Sequence, residues 1–129
     1  DDDRPKLLNL IKNAMASGVS LQLSPGEQVL DLCHIDDVVE GYIVAAGLLQ
    51  QSESQSNQIF VLNSQETISL RNLVSICETI IQRTIPIEWG GRPYRAREVM
   101  LPWSRGMHLP GWTSKVALHD GLRDIFDGN

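Results

Sequence analysis

Several signatures that would name a chemistry outright are missing from this chain. No glycine-rich turn leads from a strand into a helix; Gly90-Gly91 is followed by Arg92-Pro93, which cannot cradle a pyrophosphate. Gly-x-Ser-x-Gly is absent, so there is no nucleophile elbow. The two tyrosines, Tyr42 and Tyr94, are followed four residues later by Ala46 and Glu98, so neither has a lysine one helical turn on. Aromatics are sparse at 5%, and Trp89, Trp103 and Trp112 are too scattered to form a stacking platform. Positive charge is scarce, and the net charge of −5 argues against a nucleic-acid partner. No apolar run approaches the roughly 18 residues of a membrane span. Asp1-Asp2-Asp3 is the opposite of the basic start of a signal peptide, so no membrane association is expected. There are two cysteines, Cys33 and Cys77, both in apolar runs. They could form one disulfide, but read better as buried thiols in a reducing, cytoplasmic setting.

What remains is one domain's worth of chain, 129 residues, of which 42% are hydrophobic. Lys6 to Ser17 reads as a helix with an apolar stripe at Leu7, Leu8, Leu10, Ile11, Ala14 and Met15, closed by Gly18. Val19 to Leu23 reads as a strand and Ser24-Pro25-Gly26 as a turn. Gln28 to Ile35 reads as a strand buried on both faces. Asp37 to Glu40 has the pattern of a capping box opening a helix to residue 50, with Val39, Tyr42, Ile43, Ala46 and Leu49 as its buried stripe. Gln51 to Asn57 reads as a loose polar loop. Gln58 to Leu62 reads as a strand, and Ser69 as the cap of a helix carrying Leu70, Leu73, Val74, Cys77, Ile80 and Ile81. Ile85 to Trp89 reads as a strand and Leu118 to Phe126 as a final helix, with Trp112 as its core plug. The alternation predicts an α/β or α+β fold, with three to four short strands and about four helices.

Half of the arginines lie in one irregular stretch, Gly90 to Gly106, which holds Arg92, Arg95, Arg97 and Arg105. An arginine cluster on an acidic domain suggests a local anion site, because the planar guanidinium donates two hydrogen bonds to a phosphate and stays charged. The alternative is a solvated loop with Arg97 and Arg105 in water. Glu88 and Glu98 could pair, but nothing in the sequence sets their separation. His34-Ile35-Asp36-Asp37 lacks the spacing of a histidine-based zinc cluster and reads as a strand end before a helix cap.

Three stretches, taken in order, resemble the extended short-chain dehydrogenases, the NAD-dependent nucleotide-sugar epimerases and dehydratases. Ser24-Pro25-Gly26-Glu27-Gln28-Val29-Leu30-Asp31-Leu32-Cys33-His34-Ile35-Asp36-Asp37-Val38 resembles that family's G-x-Q-x-R-D-F-x-H-V-D-D-V. Gln58 to Asn63, followed by Thr67-Ile68-Ser69-Leu70, resembles its V-Y-N-I-G and S-L-x-E-L. Pro110-Gly111-Trp112, followed by Leu118 to Leu122, resembles its L-G-W-x-P and L-x-x-G-L. Each motif is weak alone, and the ordered set is more specific. The resemblance runs over almost the whole chain but covers only the C-terminal, substrate-binding portion of the family.

The resemblance implies a single unit over residues 1–129, with the Rossmann half absent and a nucleoside diphosphate sugar as ligand. By position, Arg95 matches the arginine that binds the diphosphate, Glu98 an acidic neighbour of the ribose, and Leu21, Gln22 and Leu23 the strand against the base. The family's second diphosphate arginine corresponds to Leu30, a departure for which Arg92 or Arg97 can compensate. G-E-Q-x-L-D and Y-R-x-x-E also occur in members acting on CDP-linked deoxysugars, of the kind used in lipopolysaccharide. The family's NAD or NADP turn, catalytic Ser/Thr and Tyr-x-x-x-Lys would all lie upstream. No cofactor binding and no catalysis are therefore expected of this chain alone, whether it is an excised domain or a shortened product. With the other half missing, the stripes of the helices at 6–17 and 37–50 should be partly uncovered. A homodimer burying Leu7, Leu8, Ile11, Val39, Ile43 and Ala46 is the expected remedy.

Overall fold

The computed structural model describes residues 6–51 and 57–127. The acidic opening, and the polar loop after Gln51 apart from its ends, lie outside the described residues. The elements run α1 (Leu7–Ser17), β1 (Leu21–Leu23), β2 (Val29–Asp31), α2 (Ile35–Gln51), β3 (Phe60–Val61), β4 (Thr67–Ser69), α3 (Leu70–Ile81), β5 (Ile87–Trp89), β6 (Met107–His108) and α4 (Leu118–Asp127). The four expected helices are present. The described strands number six rather than three or four, all of two or three residues, and β4 and β6 are the two outside the expected runs.

The strands form three two-stranded ribbons. β1 and β5 are parallel, with Leu21, Gln22 and Leu23 opposite Ile87, Glu88 and Trp89. β2 and β4 are antiparallel, and β3 and β6 are parallel. The parallel β1–β5 pair closes over a long crossover that includes α2 and α3, as parallel pairing requires.

α1 and α3 form where their periodicity places them. α1 stops because Gly18 takes a left-handed φ of 69° and donates its N–H to the Ala14 carbonyl. α3 starts because the Ser69 hydroxyl accepts the Asn72 N–H at 3.1 Å. The core is a cluster of Ile11 from α1, Leu70, Leu73, Val74 and Cys77 from α3, Ile85, and Leu122 from α4. Leu21, Leu23, Leu30 and Trp89 pack around it. Cys33 and Cys77 are both free thiols, so the disulfide option is not realised.

The region between β2 and α2 departs from the sequence reading. β2 ends at Asp31, and α2 begins at Ile35, so Asp37 lies inside the helix and cannot be its N-cap. Asp37 is nearly fully buried, and its Oδ2 accepts the Val116 N–H at 3.0 Å. Glu40 does not reach back to close a capping box; it pairs with Lys115 Nζ. β2 is half-buried rather than buried on both faces. The expected buried stripe of α2 is exposed at Val39, Tyr42, Ile43, Ala46 and Leu49. What α2 buries is Asp37 and Gly41, and a Cβ on Gly41 would meet the Leu62 methyls at 2.7 Å. Trp112 is buried as expected, but its indole N–H is tied to the Asp37 carbonyl at 2.8 Å, which places its polar end at the start of α2.

Candidate functional site

The arginine loop leaves the C-terminal end of β5 and folds back against β1. Gly90 has φ +79°, a conformation that disfavours a side chain. A Cβ on Gly91 would lie 3.1 Å from Gln22 Cγ, so the loop passes close over β1. The Arg92 N–H then donates to the Leu23 carbonyl at 3.2 Å. The Tyr94 hydroxyl accepts the Glu27 N–H at 3.0 Å, which joins the loop to the turn between β1 and β2. A single tight turn follows, in which the Glu98 N–H donates to the Arg95 carbonyl at 3.0 Å and the Arg95 N–H to Glu98 Oε2 at 3.3 Å.

These contacts fix the loop's backbone and leave its cations free. Arg92, Arg95, Arg97 and Arg105 are all exposed, and among the described residues no guanidinium of the four has a hydrogen bond or ion pair. Four uncompensated guanidinium groups on an anchored loop can take up an anionic ligand without first breaking a protein contact. The adjacent strand face adds a polar pair, Gln22 Nε2 donating to Glu88 Oε2 at 3.1 Å.

The expected site residues separate into those that project into solvent and those that do not. Arg92, Arg95 and Gln22 project outward. Glu98 is half-buried and holds the loop turn through Oε2. Leu21 and Leu23 pack on the core. Leu30 also packs on the core. Glu88 Oε2 accepts from Gln22 and Glu98 Oε2 from the Arg95 N–H, so each carboxylate has its own partner. Tyr94 carries out a role no local pattern announced, because its partner Glu27 is 67 residues away in sequence. A stacked Trp89 and Arg71, whose guanidinium carbon lies 4.7 Å from the indole centroid, was likewise not legible from spacing.

Among the cavities that lie elsewhere, two are mainly apolar. One of about 320 Å³ is lined by residues including Leu8, Leu32, Cys33, His34, Val116 and Leu122. Burial, then the charges of Asp37 and Asp31, push the Cys33 pKa up and so disfavour its thiolate. The other, of about 550 Å³, lies between α2 and β3 and is lined by residues including Val38, Tyr42, Phe60 and Trp103. Arg92, Arg95 and Gln22 line neither.

No family model matches the chain. It is 32% identical over 104 residues to the CDP-abequose synthase of Yersinia pseudotuberculosis, which covers 79% of this chain and 35% of that protein. The chain belongs to the extended short-chain dehydrogenase family of nucleotide-sugar epimerases and dehydratases. Its fold is that of solved members. The UDP-glucose 4-epimerase of Thermotoga maritima, solved with UDP-glucose, superposes with a TM-score of 0.71 at 20% identity, over 95% of this chain and 40% of that one. The UDP-glucuronic acid 4-epimerase of Bacillus cereus, solved with NAD, gives 0.69 at 20% identity, over 97% and 38%. The UDP-N-acetylglucosamine 4-epimerase of Methanobrevibacter ruminantium, solved with UDP-N-acetylmuramic acid, gives 0.74 at 15% identity, over 98% and 40%. The chain therefore spans about a third of the length of the curated relative, and about two fifths of these solved chains.

Proposed function

We propose that this chain is the nucleotide-sugar-binding portion of an NAD(P)-dependent sugar epimerase, dehydratase or reductase, and that the arginine loop grips the ligand's diphosphate. The observation that carries this reading is the set of free guanidinium groups on a loop whose backbone is already anchored to β1 and to the following turn. Arg95 is the main anchor, with Arg92 three residues before it in the loop, and Gln22 is exposed on β1 opposite Glu88. Glu98 shapes the turn that presents Arg95, which leaves its second carboxylate oxygen available to a ribose hydroxyl.

The described residues do not fit a dinucleotide. None of the four helices is entered from a glycine-rich turn; the residues before them are Lys6, His34, Ser69 and Ala117. On this reading hydride transfer belongs to other parts of the family's fold. Within the arginine loop the Tyr94 hydroxyl accepts the Glu27 N–H, a contact that holds the loop. The role proposed is binding and orientation.

Calorimetric titration with CDP-, UDP-, dTDP- and GDP-sugars tests this reading. One of the four should bind saturably, and Arg95→Ala should weaken it by about 1.5–3 kcal/mol, the range for hydrogen bonds to charged groups. Arg95→Lys should restore only part, since an ammonium lacks the two-pronged geometry. A second reading, a non-catalytic interaction module that keeps the fold without the ligand, is favoured by Leu30, which packs on the core where the family has a second arginine. Absence of binding to all four nucleotides would select it. Under either reading the exposed apolar face of α2 favours self-association, with Val39, Ile43 and Ala46 in the contact. Ile11 is excluded from it, since it is fully buried within the chain, while Leu7 and Leu8 are only partly buried.

A further inference from the structure

Arg71 lies outside the arginine loop, at the start of α3, yet its contacts converge on the turn that holds that loop. Its Nε donates to the Pro25 carbonyl at 2.7 Å and lies 3.1 Å from Glu27 Oε1. Its backbone N–H donates to the Gly26 carbonyl at 3.2 Å. Its guanidinium lies over the Trp89 ring, the last residue of β5 before the loop begins. Three successive residues, Pro25, Gly26 and Glu27, are thereby held between α3 and β5.

The turn has little freedom to shift. Gly26 has φ +85°, and a Cβ there would lie 2.4 Å from the Trp89 ring and 2.8 Å from Arg71 Cγ. On the other side the Glu27 N–H meets the Tyr94 hydroxyl, one residue before Arg95. A chain of contacts thus runs from Arg71 through Glu27 and Tyr94 to Arg95, with a second branch through Trp89 into Gly90.

We propose that Arg71 is a positioning residue for the arginine loop, setting where Arg95 is presented without touching the ligand itself. The inference rests on the nucleotide-sugar reading for its functional consequence but not for its structural one. An exposed ion pair such as Arg71 with Glu27 contributes little by itself. The effect comes from one side chain that packs on a ring, bonds a carbonyl and pairs with a carboxylate, all on the two segments that flank the loop. Lysine can keep the charge but not the flat contact with the indole together with the Nε–H bond to Pro25.

Two measurements on the intact protein decide it. The first is amide hydrogen exchange without ligand. Arg71→Ala should speed exchange at Glu27 and across residues 92–98, while Leu73 to Cys77 stay protected; Tyr94→Phe should loosen the same amides, and the double variant should go little beyond either. The second is titration with the nucleotide sugar that the wild type binds best. Arg71→Ala should weaken it about five- to tenfold, with Arg71→Lys in between. Unchanged exchange at 92–98 overturns the proposal, as does a loosened loop with unaltered affinity or a uniform loss of protection that includes α3. If the wild type takes up no nucleotide sugar, the proposed function falls, and the exchange result alone still decides whether Arg71 positions the loop.

Discussion

Helices α1 and α2 carry apolar stripes of similar spacing, and only one of the two is covered. In α1, Ile11 and Ala14 are buried, and Leu7, Leu8 and Met15 pack on the core beside α3 and β1. In α2, Val39, Tyr42, Ile43, Ala46 and Leu49 fall at helical intervals on one face, and all are exposed. The buried side of α2 holds a carboxylate and a glycine instead. Asp37 is tolerated there because Val116 supplies an N–H donor, and Gly41 because Leu62 leaves no room for a side chain. Periodicity therefore identifies which residues share a helix face, but a covering partner is a property of the assembly and not of the stripe. Val39, Ile43 and Leu49 each forgo part of the roughly 1.5–3 kcal/mol that full burial of such a side chain would supply.

The sharpest test of this contrast substitutes the same residue type on each helix. Ile11 is 0% exposed and Ile43 is 68% exposed. Ile11→Ala should cost about 2–5 kcal/mol, because it removes buried methyl groups and leaves a cavity. Ile43→Ala should fall within about 0.5 kcal/mol in a monomer, as surface changes usually do. Paired urea unfolding curves measure both. A large loss at Ile43 in dilute solution would mean that α2 is covered after all.

Concentration sharpens the same point. If the α2 face is hidden by a second copy, light scattering at tens of micromolar should exceed a monomer's mass, and Ile43→Glu should return it to a monomer without lowering the unfolding midpoint of the dilute protein. Dye binding at the α2 face should fall as association rises. A wild-type monomer that binds no hydrophobic dye would contradict the exposure of this face.

The same difference explains what was legible in the sequence. α1, α3 and α4 carry long periodic stripes with local stop or start signals, Gly18 and Ser69 among them, and these were readable. β4 and β6 are not, because neither sits in an apolar, β-branched run like the four expected strands, and each is set by its pairing with β2 or β3. A local rule, helix capping, points Asp37 to a helix start, but its carboxylate bonds the Val116 N–H, 79 residues on. At the candidate site the arginine cluster was visible as composition. Its anchoring through Tyr94 and Arg71 was not, because both act across long sequence separations.

The smallest expected effect uses the two thiols as reporters of the two sides. Cys77 is 0% exposed in the core that covers α1, and burial pushes its pKa up to about 11. Cys33 lies two residues before α2, half-buried beside a cavity, and its pKa is also raised. At pH 8 the thiolate of Cys77 amounts to roughly one molecule in a thousand, so alkylation should reach Cys33 first and Cys77 only through unfolding. The raised pKa has a linked consequence for stability. The folded state favours the neutral thiol, so the contribution of Cys77 is fully present below its ordinary value near 9.0 and is lost as pH rises toward 11. Wild-type stability should therefore decline across that alkaline window, and Cys77→Ala, less stable at neutral pH, should decline less steeply. Equal slopes for the two proteins, or alkylation of Cys77 as fast as Cys33 under native conditions, would mean that the side covering α1 opens as readily as the side left open at α2.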